Sequence, residues 1–241
     1  MRKIEEMPFL KPSERTKEII KRLKREFPEA RTALEFSDPL QLLVSTILSA
    51  QCTDARVNMV TPALFAKYRN TKEFASAQTR ELENDIRSTG FYRMKAAHII
   101  QACTDIDKRF HGQVPKTMDA LLSLPGVGRK TANCVLGGAF GIQSGVVVDT
   151  HVLRLSQRLG LSKENNPEKV EQDLMSLVPK AEWYRISNLL ILHGRKTCIA
   201  RSPRCLQCRL SDLCPSFKKL SKPTNHGARI LTNSKTIKRL K

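Results

Sequence analysis

Apolar residues recur at helical intervals along most of this chain, and strict alternation of apolar and polar residues is scarce. Segment 14–27 is typical, since its large apolar residues fall on one helical face: Ile19, Ile20, Leu23 and Phe27. Segment 39–50 is apolar on nearly every side, which predicts a helix at the centre of a bundle. Further helices are predicted over 54–67, 80–88, 93–110, 117–123, 129–140, 150–159, 167–177 and 182–193. The strand-like piece 146–148 is too short to build a sheet, so the sequence predicts an all-α fold.

The charge balance indicates a polyanionic partner. The 241 residues include 42 Lys and Arg against 23 Asp and Glu, a net charge of +19. Nucleic acid is favoured over a membrane because no basic amphipathic stretch stands out, although a solvated basic surface is the plainer alternative. No apolar run approaches the roughly 18–20 residues of a membrane span. No apolar run follows the charged N-terminus either, so we expect a cytoplasmic protein without membrane association.

The last 24 residues, 218–241, differ in kind from the rest of the chain. They contain eight Lys or Arg residues, no acidic residue and few large apolar residues. This composition predicts a disordered basic tail that attracts phosphate without regard to base sequence.

The seven cysteines divide into two groups. Their odd number, with no export signal, argues against a disulfide framework. Three are scattered in apolar contexts, where they are expected to pack as small hydrophobes: Cys52, Cys103 and Cys134. The other four are separated by six, two and five residues: Cys198, Cys205, Cys208 and Cys214. Four thiolates suit zinc or an iron–sulfur cluster, and the uneven spacing favours a cubane without excluding zinc. Arg201 and Arg204, between the first two cysteines, would form a fixed basic finger for phosphate.

A short hairpin separates two predicted helices at Leu124-Pro-Gly-Val-Gly128. Glycines at 126 and 128 permit a tight reversal that leaves backbone N–H groups pointing outward. Together with the helix N-terminus at Arg129, these groups would make an anion site. A Gly-x-Gly between helices is a weak signal by itself, because glycine commonly serves turns alone.

Two residues near this hairpin carry reactive groups. Lys130 lies at a helix N-terminus, which disfavours a cation, and with some burial its amine would be a nucleophile able to form a Schiff base. A solvated surface lysine is the commoner role. Asp149 follows the apolar run 146–148, and it is either an N-cap, the commoner role, or a carboxylate facing a developing cation. His151 is likewise more often a packed, hydrogen-bonded residue than a catalyst.

Together, these motifs resemble the endonuclease III family of helix-hairpin-helix DNA glycosylases. The resemblance covers residues 14–217 and rests on the following segments: Leu-Ser-Ala-Gln-Cys-Thr-Asp at 48–54, Leu-Pro-Gly-Val-Gly-Arg-Lys-Thr-Ala at 124–132, Val-Asp-Thr-His at 148–151, Leu-His-Gly-Arg at 192–195 and the four-cysteine spacing. It implies that Lys130 is the nucleophile, Asp149 is its partner and the four cysteines hold a [4Fe-4S] cluster.

The resemblance also implies two helical domains with a DNA-binding cleft between them. A helical barrel would span 32–142, and a cluster domain would join 1–31 to 143–217. The substrate would be double-stranded DNA with oxidised pyrimidines or abasic sites, bound by a monomer. Strand cleavage would occur 3′ to the abasic site by β-elimination. Gln51 would fill the gap left by the flipped nucleotide, and Phe91 would act as a wedge. The expected DNA contacts are Gln51, Phe91, Gly126, Val127, Gly128, Arg129, His151, Arg201 and Arg204.

The chain departs from the family pattern at three places. Phe91 stands where leucine is frequent, about one extra residue precedes Asp149, and Leu122 stands where some relatives have a carboxylate. These differences leave the range of bases open. Two alternatives remain: a monofunctional glycosylase, which would have another residue in place of Lys130, and a non-catalytic metal-stapled DNA-binding module.

Overall fold

The computed structural model describes residues 11–221, and every regular element in that part is helical. The α-helices are α1 Pro12–Glu26, α2 Pro39–Leu48, α3 Asp54–Lys67, α4 Thr71–Ala75, α5 Thr79–Asp85, α6 Tyr92–Phe110, α7 Met118–Leu122, α8 Arg129–Phe140, α9 Thr150–Arg158, α10 Pro167–Leu177, α11 Trp183–Lys196 and α12 Phe217–Leu220. Single turns of 3₁₀-helix lie at Arg87–Thr89, Lys180–Glu182 and Cys205–Gln207. The predicted all-α fold is confirmed.

Local sequence signals explain most of the helix boundaries. Asp38 caps α2 by accepting a 2.9 Å hydrogen bond from the Gln41 amide, and Pro39 provides the first helical residue. Every residue of α2 from Leu42 to Leu48 is buried, as the apolar pattern predicts for a central helix. Helix α2 ends at Leu48 instead of residue 50, and the left-handed Gln51 follows it. The five-residue helix α4 is absent from the predicted set, although α7, of the same length, is covered by the predicted helix 117–123.

Two hydrophobic cores organise the chain. The first is built from buried residues between Leu34 and Leu136. The second joins α1 to the later helices, since Ile19 and Leu23 pack with buried residues between Val146 and Leu213. Each of the two predicted domains would therefore enclose one core, and the domain boundaries stay a prediction.

The last helix of the described part extends into the predicted basic tail. Phe217–Leu220 forms α12, so helical structure extends three residues into the predicted basic tail. The rest of that tail, from 222 onward, lies outside the described residues.

Across residues 11–221, no helix is both long and apolar enough to cross a bilayer.

Candidate active site and cluster loop

One pocket is walled by residues of both cores. Thr46 of α2 and Cys134 of α8 line it on the side of the first core, and Ser187, Asn188 and Ile191 of α11 line it on the side of the second. Lys130 and Asp149 both line this pocket, although they lie in helices that belong to different cores. The fold thus places Lys130 and Asp149, the two residues predicted to be reactive, at the same pocket.

Lys130 is the second residue of α8, directly after the hairpin. Its side chain is exposed, so the amine lacks the burial that would add to the effect of the helix N-terminus. The positive end of the α8 backbone remains next to the amine, because Gly128 is the N-cap and no side chain caps the helix. A solvent-accessible amine therefore lies at the wall of the pocket.

Asp149 is the N-cap of α9, as its position after an apolar run suggested. Its Oδ1 accepts 2.8 Å hydrogen bonds from the amides of His151 and Val152. Its Oδ2 lies 3.3 Å from Nδ1 of His151. The cap fixes the orientation of the carboxylate, and Oδ2 is free of the backbone. Both roles weighed for Asp149, the structural cap and a carboxylate facing the pocket, are therefore compatible.

The hairpin uses its two glycines differently. Gly126 has φ +76°, and a Cβ there would lie 2.8 Å from the His98 ring, so only glycine fits without strain. Val127 is buried and its amide donates to the Leu124 carbonyl at 3.2 Å, so this N–H group is already engaged within the turn. Gly128 faces open space, because a Cβ there would meet nothing within 4 Å. The surface available to a phosphate is therefore at Gly128 and the start of α8.

Arg129 forms a two-pronged ion pair with Glu171 of α10. Its Nε lies 2.6 Å from Oε2 and its terminal nitrogen 3.1 Å from Oε1. The Glu171 side chain is 6% exposed and also accepts a 2.8 Å hydrogen bond from Asn133. The carboxylate raises the pKa of Arg129. This guanidinium, which the sequence assigned to DNA, joins the first turn of α8 to a helix of the other core.

Gln51 and Phe91 occupy two loops with unusual backbone geometry. Gln51 has φ +53° and Phe91 has φ +48°, both in the left-handed region that residues with side chains rarely adopt. Phe91 is 58% exposed, which is unusual for a large aromatic ring, and Gln51 is exposed as well. The two loops therefore present an amide and an apolar ring to solvent.

The four clustered cysteines lie in a segment at 198–214, the cluster loop. Arg158 of α9 anchors its start by donating to Cys198 Sγ at 3.3 Å, to the Ile199 carbonyl at 2.9 Å and to the Ala200 carbonyl at 2.6 Å. Leu210 and Leu213 anchor its end in the second core. All four cysteines are free thiols of intermediate exposure. Arg201 and Arg204 on the same loop are exposed.

The electrostatics of the cluster loop disfavour bare thiolates. Burial raises the pKa of Cys208 to about 11, and it raises the pKa of Cys205 and Cys214. The charges of the other cysteines act in the same direction, so the four thiols share one neighbourhood. Four free cysteines in one loop are a donor set for a metal group that stabilises thiolates. In residues 11–221, no three His, Cys, Asp or Glu side chains are placed to hold a single metal ion.

Several pocket residues were not predicted from the sequence. Asp54 and Arg195 both line the pocket and pair at 2.7 Å, so an ion pair links α3 to α11. Tyr184 also lines the pocket, and burial raises the pKa of its phenol to about 12. Glu171, the partner of Arg129, does not line the pocket, but its position one turn before Leu174 on the apolar side of α10 was a usable signal that it is buried. Asp54 and Arg195 lie inside the motifs at 48–54 and 192–195, but the sequence does not show that they pair, because they are 141 positions apart.

Known proteins with related sequences identify the family. The sequence profile of HhH-GPD superfamily base excision DNA repair proteins matches residues 44–180, more than half of the chain. The chain belongs to this superfamily. Endonuclease III of Synechocystis sp. is 54% identical over 203 residues, which cover 84% of this chain and 93% of that protein. Endonuclease III of Bacillus subtilis is 45% identical over 81% of this chain and 90% of its own length.

A solved structure supports the same family assignment. It is a trapped endonuclease III–DNA covalent intermediate, an estranged-adenine complex, and it covers 89% of this chain and 100% of its own. The match has a TM-score of 0.83 at 42% sequence identity. As a member of the endonuclease III family, the chain is a DNA glycosylase and abasic-site lyase of base excision repair. The predicted family and activity are confirmed.

Proposed function

We propose that this endonuclease III family member binds double-stranded DNA, removes oxidised pyrimidines and cleaves the strand at the resulting abasic site. Lys130 is proposed as the nucleophile and Asp149 as its partner. One observation carries the assignment: the two residues come from helices of different cores and line the same pocket. A flipped nucleotide in that pocket would meet an exposed amine on one side and a fixed carboxylate on the other.

The first chemical step forms a covalent intermediate. The neutral amine of Lys130 attacks C1′ of the deoxyribose, the bond from C1′ to the base breaks, and the base leaves with the bonding electron pair and a proton. The carboxylate of Asp149 stabilises positive charge on the sugar. The nitrogen gives up two protons, one to the departing base and one to O4′ as the sugar ring opens, and a Schiff base between Nζ and C1′ remains.

The second step cuts the strand. The Schiff base acidifies the proton on C2′, and removal of that proton expels the 3′ phosphate by β-elimination. Water then hydrolyses the imine and releases Lys130. The products are a 5′ fragment that ends in an unsaturated aldehyde and a 3′ fragment that begins with a phosphate.

The DNA contacts follow from the exposed features around the pocket. Gly128 and the first turn of α8 offer a backbone anchor for a phosphate, which is blind to base sequence. Gln51 is proposed to occupy the gap left by the flipped nucleotide, and Phe91 to wedge between bases. Arg201 and Arg204 would meet phosphates through the exposed face of the cluster loop.

Cys198, Cys205, Cys208 and Cys214 are proposed to hold a [4Fe-4S] cluster. The donor set fits, because the cluster loop supplies four free cysteines, the number of thiolate ligands that a [4Fe-4S] cluster takes. When bound, the cluster would supply cross-links that tie the loop together. Arg158 and the buried leucines already orient the two ends of the loop toward the second core.

A cleavage assay on defined duplexes tests the substrate proposal. We expect cleavage of duplexes that contain an oxidised pyrimidine or a preformed abasic site, and none of an undamaged duplex. The product should carry the unsaturated aldehyde at its 3′ end. Release of the damaged base without strand cleavage would contradict the lyase step, and selective cleavage at a damaged purine would contradict the substrate class.

A further inference from the structure

Lys95 is a lysine with no place in the mechanism above. It lies in the first turn of α6 and is 2% exposed, although lysine is one of the residues least often buried. Burial lowers the pKa of its ammonium. A group held in such an unfavourable environment needs strong local partners.

The partners of Lys95 are the ends of two other helical segments. Its Nζ donates to the Leu48 carbonyl at 2.7 Å and to the Thr89 carbonyl at 2.8 Å. Leu48 is the last residue of α2, and Thr89 is the last residue of the 3₁₀ turn before α6. Carbonyl groups at a helix C-terminus lack a partner in their own helix and carry partial negative charge. One ammonium thus satisfies two buried helix ends.

Both helix ends lead directly into the loops proposed to enter DNA. Leu48 lies three residues before Gln51, and Thr89 lies two residues before Phe91. Lys95 is also tied to the second loop through its backbone, because its amide donates to the Phe91 carbonyl at 3.1 Å. The left-handed conformations of Gln51 and Phe91 persist only where neighbouring contacts hold them.

We propose that Lys95 is a positioning residue that holds the Gln51 and Phe91 loops in one fixed relative arrangement, so that both side chains enter the duplex together. This inference rests on the proposed function, since the insertion of both side chains is part of it. Lys95 does not touch the reacting atoms. It acts by fixing the distance between the side chains of Gln51 and Phe91.

The test compares three variants of the full-length protein. Lys95→Met keeps the length of the side chain and removes its donors, and Lys95→Arg keeps a cation with donors. Lys108→Met is the matched control, because Lys108 lies exposed in the last turn of the same helix. Single-turnover rates are measured on a duplex with an oxidised pyrimidine and on the same duplex with a preformed abasic site. Thermal unfolding monitors the fold.

Base removal should suffer more than strand cleavage. A nucleotide that still carries its base must be expelled from the stack, whereas an abasic sugar has no base to expel. We expect Lys95→Met to slow base removal about 10- to 100-fold, the range that a misplacement of about 1 Å produces. Cleavage at the abasic site should slow by a much smaller factor. Lys95→Arg should slow base removal by a smaller factor, again with less effect on cleavage at the abasic site. Lys108→Met should have the same rates as the wild type on both duplexes.

A double-mutant cycle separates positioning from a merely structural role. If Lys95 acts through Phe91, the loss caused by the Lys95 variant should be much smaller in a Phe91→Ala background. Should Lys95→Met fail to fold, the same cycle is run with Lys95→Arg. Equal losses on both substrates, or losses that add independently, would overturn the positioning role. Wild-type protein inactive on both duplexes would instead overturn the proposed function, and the role of Lys95 with it.

Discussion

Arg129 and Lys130 are adjacent in the chain, but their side chains have different surroundings. Lys130 faces the pocket, whereas Arg129 is held by Glu171 of α10. The same ion pair connects the first turn of α8 with the second core, which also contributes Asp149 through α9. We infer that Arg129 keeps the amine of Lys130 at the correct distance from the carboxylate of Asp149.

Replacing Glu171 by Gln tests this connection. The change removes the charge that binds Arg129, so we expect a loss of about 1–3 kcal/mol in the free energy of unfolding. Turnover should fall about tenfold, because the reacting groups lose their alignment, while affinity for undamaged DNA stays unchanged. Glu29→Gln, which removes the same charge from an exposed residue outside α10, is the control. Weaker DNA binding with normal turnover would show that Arg129 acts on DNA instead.

At the scale of elements, the hairpin between α7 and α8 depends on two glycines with different tasks. Gly126 has a positive φ and no room for a Cβ beside His98, whereas Gly128 has an ordinary φ of −91° and open space. Gly126 is therefore needed for the hairpin to fold, whereas Gly128 keeps the surface beside the start of α8 open.

The pair Gly126→Ala and Gly128→Ala separates these tasks. Gly126→Ala should destabilise the protein by about 1–3 kcal/mol, because the new methyl group meets His98 in a left-handed backbone. Gly128→Ala should change stability by less than about 1 kcal/mol. It should nevertheless weaken DNA binding, because its methyl group stands where a phosphate would approach. Equal stability of the two variants, measured by denaturant unfolding, would contradict this division.

The element scale also shows how far sequence reasoning reaches. The period of the apolar residues predicted the long helices. The motifs around Gly126 and Asp149 predicted the segments that place Lys130 and Asp149 at the pocket. The bond from Lys95 to Leu48 and the ion pair between Arg129 and Glu171 were not predictable, because each joins residues more than forty positions apart in the sequence. Such contacts depend on how helices pack, and the apolar period fixes only which face of each helix is buried.

For the whole molecule, residues of both cores surround one pocket, and the cluster loop packs with the second core. Buried residues of the first core end at Leu136, well before Cys198. The ion pair between Asp54 and Arg195 crosses from α3 to α11 beside the pocket. The proposed cluster is therefore expected to support the second wall of the pocket without contributing to the first.

Removal of the cluster tests this arrangement. The purified protein should be brown and contain iron and sulfide in equal amounts. After removal of the iron, the unfolding temperature should fall by several degrees, and proteolysis should begin within 198–214 while the first core stays intact. Cys208→Ala should lose iron, whereas Cys52→Ser, outside the loop, should retain it. A colourless protein that holds one zinc ion would contradict the proposed cluster.

Trapping with borohydride tests the central claim most directly, because it reports the covalent bond between protein and sugar. A duplex with an abasic site is mixed with the protein and sodium borohydride, which reduces the Schiff base to a stable amine. The wild-type protein should form a covalent protein–DNA adduct. Lys130→Ala should form none while still binding the duplex, and Asp149→Asn should form it more slowly. Absence of an adduct with the wild type, or an undiminished adduct with Lys130→Ala, would contradict the assignment of Lys130 as the nucleophile.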